Sequence, residues 1–224
     1  MCGRLILTSD PSDVRQLLPD VAVPDAWGPR YNVAPSQQVA VVPNREPKQV
    51  EFFRWGLIPS WAKDAAIGNR MINARAESVT MKPAFRGPLR HRRCLVLADG
   101  FYEWQVRPEG RTKTPFCVRL KSGGLFAFAG LWDIWRSPGG TDIASCAIIT
   151  TTANELMAPI HHRMPVILPR SAYDEWLDVG EQLAARLVEL LGPYPAEEMA
   201  AYPVSTLVNN PRHDGPECVV PIGS

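Results

Sequence analysis

Lysine is scarce in this chain of 224 residues: only five of its 24 basic residues are lysine, and the other 19 are arginine. No stretch approaches 18 consecutive apolar residues, so we expect no membrane-spanning helix. The chain does not open with a basic region followed by an apolar segment, so we expect no signal peptide. With 46% hydrophobic and 21% charged residues, the composition is typical of a globular protein and excludes a disordered one.

The cysteines do not form the pattern of a disulfide framework or of a zinc site. There are five, an odd number, and no two form a C-x-x-C pair. Those in apolar runs are typical of small buried hydrophobic residues. This usage favours a reducing cytoplasm, and we predict no metal and no cofactor. The sequence also lacks a phosphate loop, a dinucleotide fingerprint, an H-E-x-x-H motif and a G-x-S-x-G elbow.

Proline is abundant, at 22 residues or about twice the usual share, which argues against a helical bundle. Strand patterns separated by turns, without helices between them, favour antiparallel pairing. We therefore predict one α+β domain over residues 1–224. The predicted strands cover 39–42, 49–58, 94–98, 101–106, 116–120, 125–132, 146–150 and 166–168, with an edge strand at 219–221.

Few helices are predicted, and all of them are short. Asp10 and Pro11 form a typical helix start, with an N-cap residue followed by proline at the first helical position. A second helix is predicted to begin near Lys82. Two more are predicted near the end, one capped by Ser171 and one over roughly 181–191. We expect residues 19–38 to be ordered but irregular.

Basic residues are concentrated in one stretch of this nearly neutral chain, whose net charge is +1. Between Arg70 and Arg93 there are seven basic residues and one acidic residue, Glu77, which gives +7 − 1 = +6. The planar fork of arginine suits phosphate recognition better than the point charge of lysine does. The alternative is a solvated charged face without a partner.

Trp61 follows the strand at 49–58 and lies in a predicted loop, so it has no evident core partner. A loop tryptophan beside arginines is a stacking surface for bases in nucleic-acid binders. The alternative is that Trp61 covers the hydrophobic core.

Cys2 follows the initiator methionine, and a small second residue favours removal of Met1. The new terminus would carry an α-amine and a thiol on adjacent carbons, with ordinary pKa values of about 8 and about 8.5. An aldehyde can form an iminium with such an amine, and the thiol can then close a five-membered thiazolidine ring. The alternative is an inert, frayed terminus.

Glu103 lies in the strand at 101–106, on the same face as Phe101 and Gln105. A carboxyl group among aromatic side chains is partly desolvated, which raises its pKa and makes it a proton donor. The alternative is a glutamate that faces solvent on a half-exposed strand.

Six ordered motifs together resemble the SOS-response-associated peptidase (SRAP) family of abasic-site processing proteins. The likeness extends from residue 1 to about 170 and, more weakly, through 203–205, with no departure at a key position. The motifs are M-C-G-R at 1–4, Y-N-V-A-P at 31–35, R-W-G-L-I-P-S-W at 54–61, I-N-A-R-A-E at 72–77, A-D-G-F-Y-E-W at 98–104 and I-H-H-R-M-P at 160–165.

The resemblance implies a strongly curved, mainly antiparallel, barrel-like sheet flanked by short helices, with a positively charged channel for single-stranded DNA. It implies that Cys2 crosslinks to the ring-opened aldehyde of an abasic site. Asn73 would position the terminal cysteine and the sugar. Glu103 would be the acid and base, and His161 rather than His162 aligns with the family histidine.

The implied partner is single-stranded DNA that contains abasic sites, bound by a monomer in the cytoplasm, at the nucleoid near replication forks. Arginines would pair with phosphates, and Trp61 would stack on a base. The predicted DNA-binding residues are Arg4, Pro35, Trp61, Arg75, Arg86, Thr150 and Arg163.

Two other functions remain open from the residues. A thiol peptidase would use Cys2 to attack peptide bonds, as the family name suggests, and self-cleavage before Cys2 would combine both activities. A non-covalent binder of modified DNA would leave Cys2 without a role. The crosslinking function can also include a lyase activity, in which the protein cleaves the DNA strand at the abasic site.

Overall fold

In the computed structural model, which describes residues 2–107, 110, 112–180 and 183–223, five strands close into a barrel. Four of its five strand pairs are antiparallel, and the pair β4–β10 is parallel. The barrel strands are β3 (Gln38–Pro43), β4 (Glu51–Trp55), β6 (Arg93–Ala98), β9 (Phe126–Arg136) and β10 (Asp142–Thr152). Two short strands extend the sheet from β10: β5 (Asn73–Arg75), which is parallel to it, and β11 (Arg163–Pro165), which is antiparallel.

A second, fully antiparallel sheet of five strands packs against the barrel. Its strands, in spatial order, are β12 (Met199–Pro203), β8 (Lys113–Leu120), β7 (Gly100–Val106), β1 (Leu5–Leu7) and β2 (Arg30–Val33). The single domain is thus an α+β fold dominated by curved antiparallel sheet, as predicted.

Alternating residues of the barrel strands supply two hydrophobic clusters, because successive side chains of a strand point to opposite faces. Leu95 and Leu97 belong to the cluster that the helices cover, whereas Cys94 and Val96 belong to the cluster shared with the five-stranded sheet. A third, smaller cluster lies where the C-terminal segment covers the five-stranded sheet.

The helices are short, and they lie outside the barrel. They are α1 (Pro11–Leu17), α2 (Pro83–His91), α3 (Tyr173–Leu177) and α4 (Ala184–Glu189). Asp10 caps α1 in a complete capping box, as predicted. None of the helices in the described part of the chain is long and apolar enough to cross a membrane.

Several predicted elements differ from the structure. Residues 19–38 are not all irregular, because β2 falls within them. Ser171 does not cap a helix but lies inside a 3-10 turn that precedes α3. The strand expected at 166–168 is instead β11, three residues earlier, and the edge strand expected at 219–221 is reduced to one bridge between Val204 and Pro221. The predicted start of the last helix, Glu181, lies outside the described residues.

Asp99 and Gly100 form a crossing between the two sheets rather than a hairpin turn, because β6 and β7 pair with different partners. The buried Asp99 carboxylate accepts hydrogen bonds from the backbone and hydroxyl groups of Thr8 and Ser9. A Cβ atom on Gly100 would lie 2.8 Å from the carbonyl oxygen of Val118, so only glycine fits there. This crossing brings β7, and with it Glu103, beside the N-terminal strand.

Candidate active site

Strand β1 fixes the position of Cys2, which lies three residues before it. Leu5 pairs with Val33 on one side and with Phe101 on the other, and the Arg4 carbonyl accepts from Tyr102 N–H at 3.0 Å. Cys2 itself is fully buried. Gly3 and Arg4 line an open depression next to it, together with Trp104, Lys113 and Asn209.

Asn73 reaches Cys2 from β5. Its Nδ2 donates to the Cys2 carbonyl at 2.8 Å. Its Oδ1 is buried and accepts no hydrogen bond within the described residues, so an acceptor next to Cys2 is available to an incoming donor. Strand β5 is held in place by parallel pairing, in which Asn73 lies opposite Ile148 of β10.

Glu103 is 2% exposed, in agreement with the face predicted from the strand period. Burial raises the pKa of this carboxyl group, and the nearby His162 opposes the rise. Burial also raises the pKa of the Cys2 thiol, and the negative charge of Glu103 adds to that effect. The charge of Glu103 therefore acts on the protonation of the Cys2 thiol.

His161 lies two residues before β11, and Gln105 helps to hold the preceding turn near β7 by donating to the Pro159 carbonyl at 3.0 Å. The rings of His161 and His162 stack with centroids 4.4 Å apart. Burial lowers the pKa of His161 below its usual value, so the imidazole is mainly neutral at pH 7. We call Cys2, Asn73, Glu103 and His161 the Cys2 cluster.

Trp61 is 59% exposed, so it does not cover the core. It lines an open cleft with the exposed Arg86, with Arg90 and Arg92, and with the buried Asp133; we call this group the Trp61 cleft. Three hydrogen bonds hold the backbone beneath Trp61: Ile58 N–H to Ser145 Oγ (2.8 Å), Ser60 N–H to Asp133 Oδ2 (3.0 Å) and Trp135 Nε1–H to the Ala62 carbonyl (2.6 Å).

The other predicted DNA-binding residues differ in exposure. Arg75 is exposed, Pro35 is half-buried beside Ser36, which has φ of 71°, and Thr150 is fully buried. Arg163 is also buried, and its guanidinium is paired with Glu77. Of these four residues, only Arg75 has a basic side chain that is exposed and can reach a phosphate.

Arg4 is half-buried, and its guanidinium already has protein partners. It donates to Asn32 Oδ1 at 2.8 Å and to the Val208 carbonyl at 2.5 Å, and it lies 5.7 Å from the Trp104 ring centroid. These contacts connect Arg4, and with it the N-terminal segment, to the C-terminal segment. Phosphate binding by Arg4 stays a prediction.

Arg93 belongs to the basic stretch in sequence but not to the exposed surface. It is fully buried and donates to backbone carbonyls, among them Leu89 (3.1 Å) and Trp176 (2.8 Å). It therefore joins the end of α2 to α3 and is not available to a phosphate.

The family model described as SOS response associated peptidase (SRAP) matches residues 1–211. The chain belongs to this family. Abasic site processing protein YoqW of Bacillus subtilis (strain 168) is 48% identical over 222 residues, which cover 98% of this chain and 99% of that protein. Abasic site processing protein HMCES of Gallus gallus is 36% identical over 229 residues, which cover 88% of this chain and 67% of that protein.

Two solved structures are similar to this fold. A protein from Bacteroides thetaiotaomicron superposes with a TM-score of 0.88 at 27% identity, over 98% of this chain and 99% of that one. A protein from Bordetella bronchiseptica gives a TM-score of 0.80 at 26% identity, over 91% of this chain and all of that one.

In this SRAP chain, sequence reasoning missed the residues that support the site. Asp133, Ser145 and Trp135 hold the Trp61 loop, but each lies more than 70 residues from it, and no local pattern connects them. Glu77 did leave a signal, because it is the one acid among seven bases between Arg70 and Arg93.

Proposed function

We propose that this protein processes abasic sites in single-stranded DNA by forming a covalent link through Cys2. The observation that carries the proposal is the position of Cys2, whose carbonyl is held by Asn73 and which is fully buried, with a thiol that feels the charge of the buried Glu103. A terminal nucleophile, a positioning amide and a carboxyl group with a raised pKa together suit capture of an aldehyde.

The link requires the free amine of Cys2, so Met1, which lies outside the described residues, is removed first. The amine adds to the aldehyde carbon of the ring-opened sugar, and loss of the carbonyl oxygen as water gives an iminium. The Cys2 sulfur then adds to the same carbon as the thiol proton leaves. One C–N bond and one C–S bond form, and the product is a thiazolidine.

Glu103 moves the protons in this sequence. As a carboxylate it takes a proton from the amine, and as a carboxylic acid it protonates the leaving hydroxyl group. Burial raises the pKa of Glu103 above its ordinary value, which makes the protonated form more accessible than in an exposed glutamate.

His161 assists the opening of the sugar ring. The C1′–O4′ bond breaks, O4′ takes a proton from the imidazolium, and the C1′ hydroxyl gives its proton to the Glu103 carboxylate as the carbonyl forms. Because burial lowers the pKa of His161, the imidazolium is the minor form at pH 7, but it is a stronger acid than the imidazolium of an exposed histidine.

The raised pKa of the Cys2 thiol disfavours a peptidase mechanism. A cysteine that attacks peptide bonds needs a thiolate, and such thiols have a lowered pKa beside a cation or a helix N-terminus. Here burial and the negative charge of Glu103 act in the opposite direction. The amine can attack first without a preformed thiolate, which suits the aldehyde reaction.

Single-stranded DNA is held by the exposed arginines and by Trp61. Base stacking on an aromatic side chain contributes about 1–3 kcal/mol per base and tolerates any sequence. An abasic site can arise at any position, so binding without sequence preference is the property that this function needs.

The test is incubation with a single-stranded oligonucleotide that carries one abasic site, followed by denaturing gel and intact-mass analysis. We expect an adduct whose mass is that of the protein without Met1, plus the oligonucleotide, minus one water. Cys2→Ala should form none, whereas Cys117→Ala, which removes another buried thiol, should form it normally.

Other results would identify the alternatives. Cleavage of unrelated peptides without an adduct would indicate a thiol peptidase. Salt-sensitive binding that is unaffected by Cys2→Ala, again without an adduct, would indicate a non-covalent binder. An associated lyase activity would appear on the same gel as a shortened oligonucleotide.

A further inference from the structure

The guanidinium of Arg163 is paired with a carboxylate that faces the solvent. Nη1 and Nη2 lie 2.5 and 3.0 Å from the two oxygens of Glu77. The Arg163 side chain is 10% exposed, and that of Glu77 is 50% exposed. Nη2 also donates to the Thr150 carbonyl at 2.6 Å. Glu77 lies in the turn that follows β5, the strand that contains Asn73. Its pair with Arg163 therefore joins this turn to β11, and the Thr150 contact extends the connection to β10.

The backbone of Arg163 offers two different partners to the same nitrogen of His161. Nδ1 lies 3.0 Å from Arg163 N and 3.1 Å from Arg163 O. When Nδ1 has no proton, it accepts from the N–H group. When Nδ1 carries a proton, it donates to the carbonyl. Every protonation state of the ring therefore has a backbone partner in one orientation.

We propose that Glu77 is a positioning residue for His161. By pairing with the Arg163 side chain, it holds the N–H and carbonyl groups of Arg163 against Nδ1 of His161. The histidine can then gain or lose a proton without rotation of its ring. The inference rests on the proposed function, in which His161 donates a proton during ring opening.

The proton count at His161 explains why a fixed ring matters. The imidazolium has a proton on each nitrogen, and Nδ1–H faces the Arg163 carbonyl. After Nε2 gives its proton to O4′, the neutral ring keeps the proton on Nδ1 and the same hydrogen bond. Solvent then returns a proton to Nε2. No step requires the ring to reorient, so Nε2 stays aimed at the sugar.

Strand pairing alone does not account for the position of Arg163. Residue 163 lies opposite Thr152 in the last pair of the β10–β11 ladder, and beyond it a single long backbone hydrogen bond remains, from Ala153 N–H to the His162 carbonyl at 3.2 Å. Without Glu77 the buried guanidinium keeps only the Thr150 contacts, and an uncompensated buried charge is strongly unfavourable. The side chain would move towards water, and the backbone beside His161 would move with it.

The test compares wild-type protein with Glu77→Gln, which keeps the shape and removes the charge. With the abasic oligonucleotide in excess, we expect the maximum crosslinking rate to fall about tenfold, since small misplacements of reacting groups have effects of that order or larger. Affinity for an oligonucleotide with an unreactive tetrahydrofuran abasic analogue should be unchanged or tighter, because a negative charge has been removed. Glu77→Asp should recover part of the rate.

A second readout does not depend on crosslinking. The ring-nitrogen NMR shifts of His161 should change in Glu77→Gln, whereas those of His213, whose Nδ1 lies 3.1 Å from the Leu207 carbonyl, should not. The matched control is Glu175→Gln, which breaks the surface pair with Arg186 and should leave both readouts as in the wild type.

The outcomes separate the two proposals. Absence of any adduct with wild-type protein would remove the proposed function, and the NMR shifts would still test the role of Glu77. Unchanged rates and unchanged His161 shifts in Glu77→Gln would overturn the inference. A parallel fall in rate and affinity would also overturn it, since it would make the pair part of the DNA contact. If Glu77→Gln does not fold, the same comparison is made with Glu77→Asp.

Discussion

The Cys2 cluster and the Trp61 cleft differ most clearly in their contact with water. Cys2 is fully buried and Glu103 is 2% exposed, whereas Trp61 is 59% exposed. The four residues of the Cys2 cluster come from four different segments of the chain, which strand pairing brings together. Apart from the buried Asp133 of β9, the groups of the cleft come from one loop and from α2 with its neighbouring residues, and Trp61, Arg86 and Arg90 are exposed.

This difference separates two kinds of function. Exclusion of water raises the pKa of a carboxyl group, so an acid that can donate a proton above its ordinary pKa range needs the buried cluster. Exposed arginines keep their hydration and bind phosphates through charge, which salt screens. Changes in the cluster should therefore alter the rate of crosslinking, and changes in the cleft should alter affinity for DNA.

The largest effect should come from Glu103→Gln. We expect crosslinking to slow by about 10²–10⁴-fold, the usual contribution of a positioned acid or base, with binding nearly intact. Single-turnover rates and binding to an unreactive abasic analogue measure the two quantities separately. Glu197→Gln, at an exposed position, is the matched control. Equal rates for Glu103→Gln and the wild type would refute the catalytic role of Glu103.

The same substitution should change how the stability of the fold depends on pH. Burial raises the folded-state pKa of Glu103, so the folded protein binds this proton more tightly than the unfolded chain does. The associated stability is fully present below the unfolded pKa of about 4.3 and is lost as pH rises through the folded pKa. We expect the difference in Tm, variant minus wild type, to increase for Glu103→Gln as pH rises from 4 to 8. A difference that stays constant with pH would show that the carboxyl group does not titrate abnormally.

Trp61→Ala tests the other half of the comparison. If a base stacks on the indole, affinity for single-stranded DNA should fall by about 1–3 kcal/mol, while the rate of crosslinking at saturating DNA stays near that of the wild type. Fluorescence anisotropy with a labelled oligonucleotide measures the affinity. Phe52→Ala removes another exposed aromatic side chain, beside Trp27, and should have no effect on binding. Loss of rate without loss of affinity would place Trp61 in the chemistry instead.

Parts of the fold and of the Cys2 cluster could be predicted from the sequence, because short local patterns indicate them. The period of a strand placed Glu103 on the face of Phe101 and left both burial and exposure open, and the structure shows that it is buried. The typical helix start at Asp10 and Pro11 predicted α1. The family motifs predicted a curved antiparallel sheet. The face of Glu103 and the start of α1 depend on residues that are neighbours in sequence, whereas the sheet was expected only from the resemblance of six motifs to a family.

Other features could not be predicted, because they depend on residues far apart in the chain. Strand β2 has only four residues at a sheet edge, and Asp214 caps it by accepting from Tyr31 N–H and Asn32 N–H at 2.6 and 2.7 Å. Arg93 counts as a charge in a basic stretch, yet its partners are carbonyls of two helices. The sequence of a charged stretch does not show which of its residues are buried.

The smallest effect should come from Arg86→Ala, which removes one exposed cation from the Trp61 cleft. For single strands, the slope of log affinity against log salt changes by about 0.7 for each phosphate that the protein no longer neutralises. We therefore expect a modest loss of affinity at low salt that disappears as salt increases, and no change in the crosslinking rate at saturating DNA. Binding measured across a salt series gives the slope, and Arg170→Ala, another exposed arginine, is the control. An unchanged slope for Arg86→Ala would mean that the DNA does not contact the arginines of α2. Any DNA contact made by Trp61 would then belong to a different surface from these arginines.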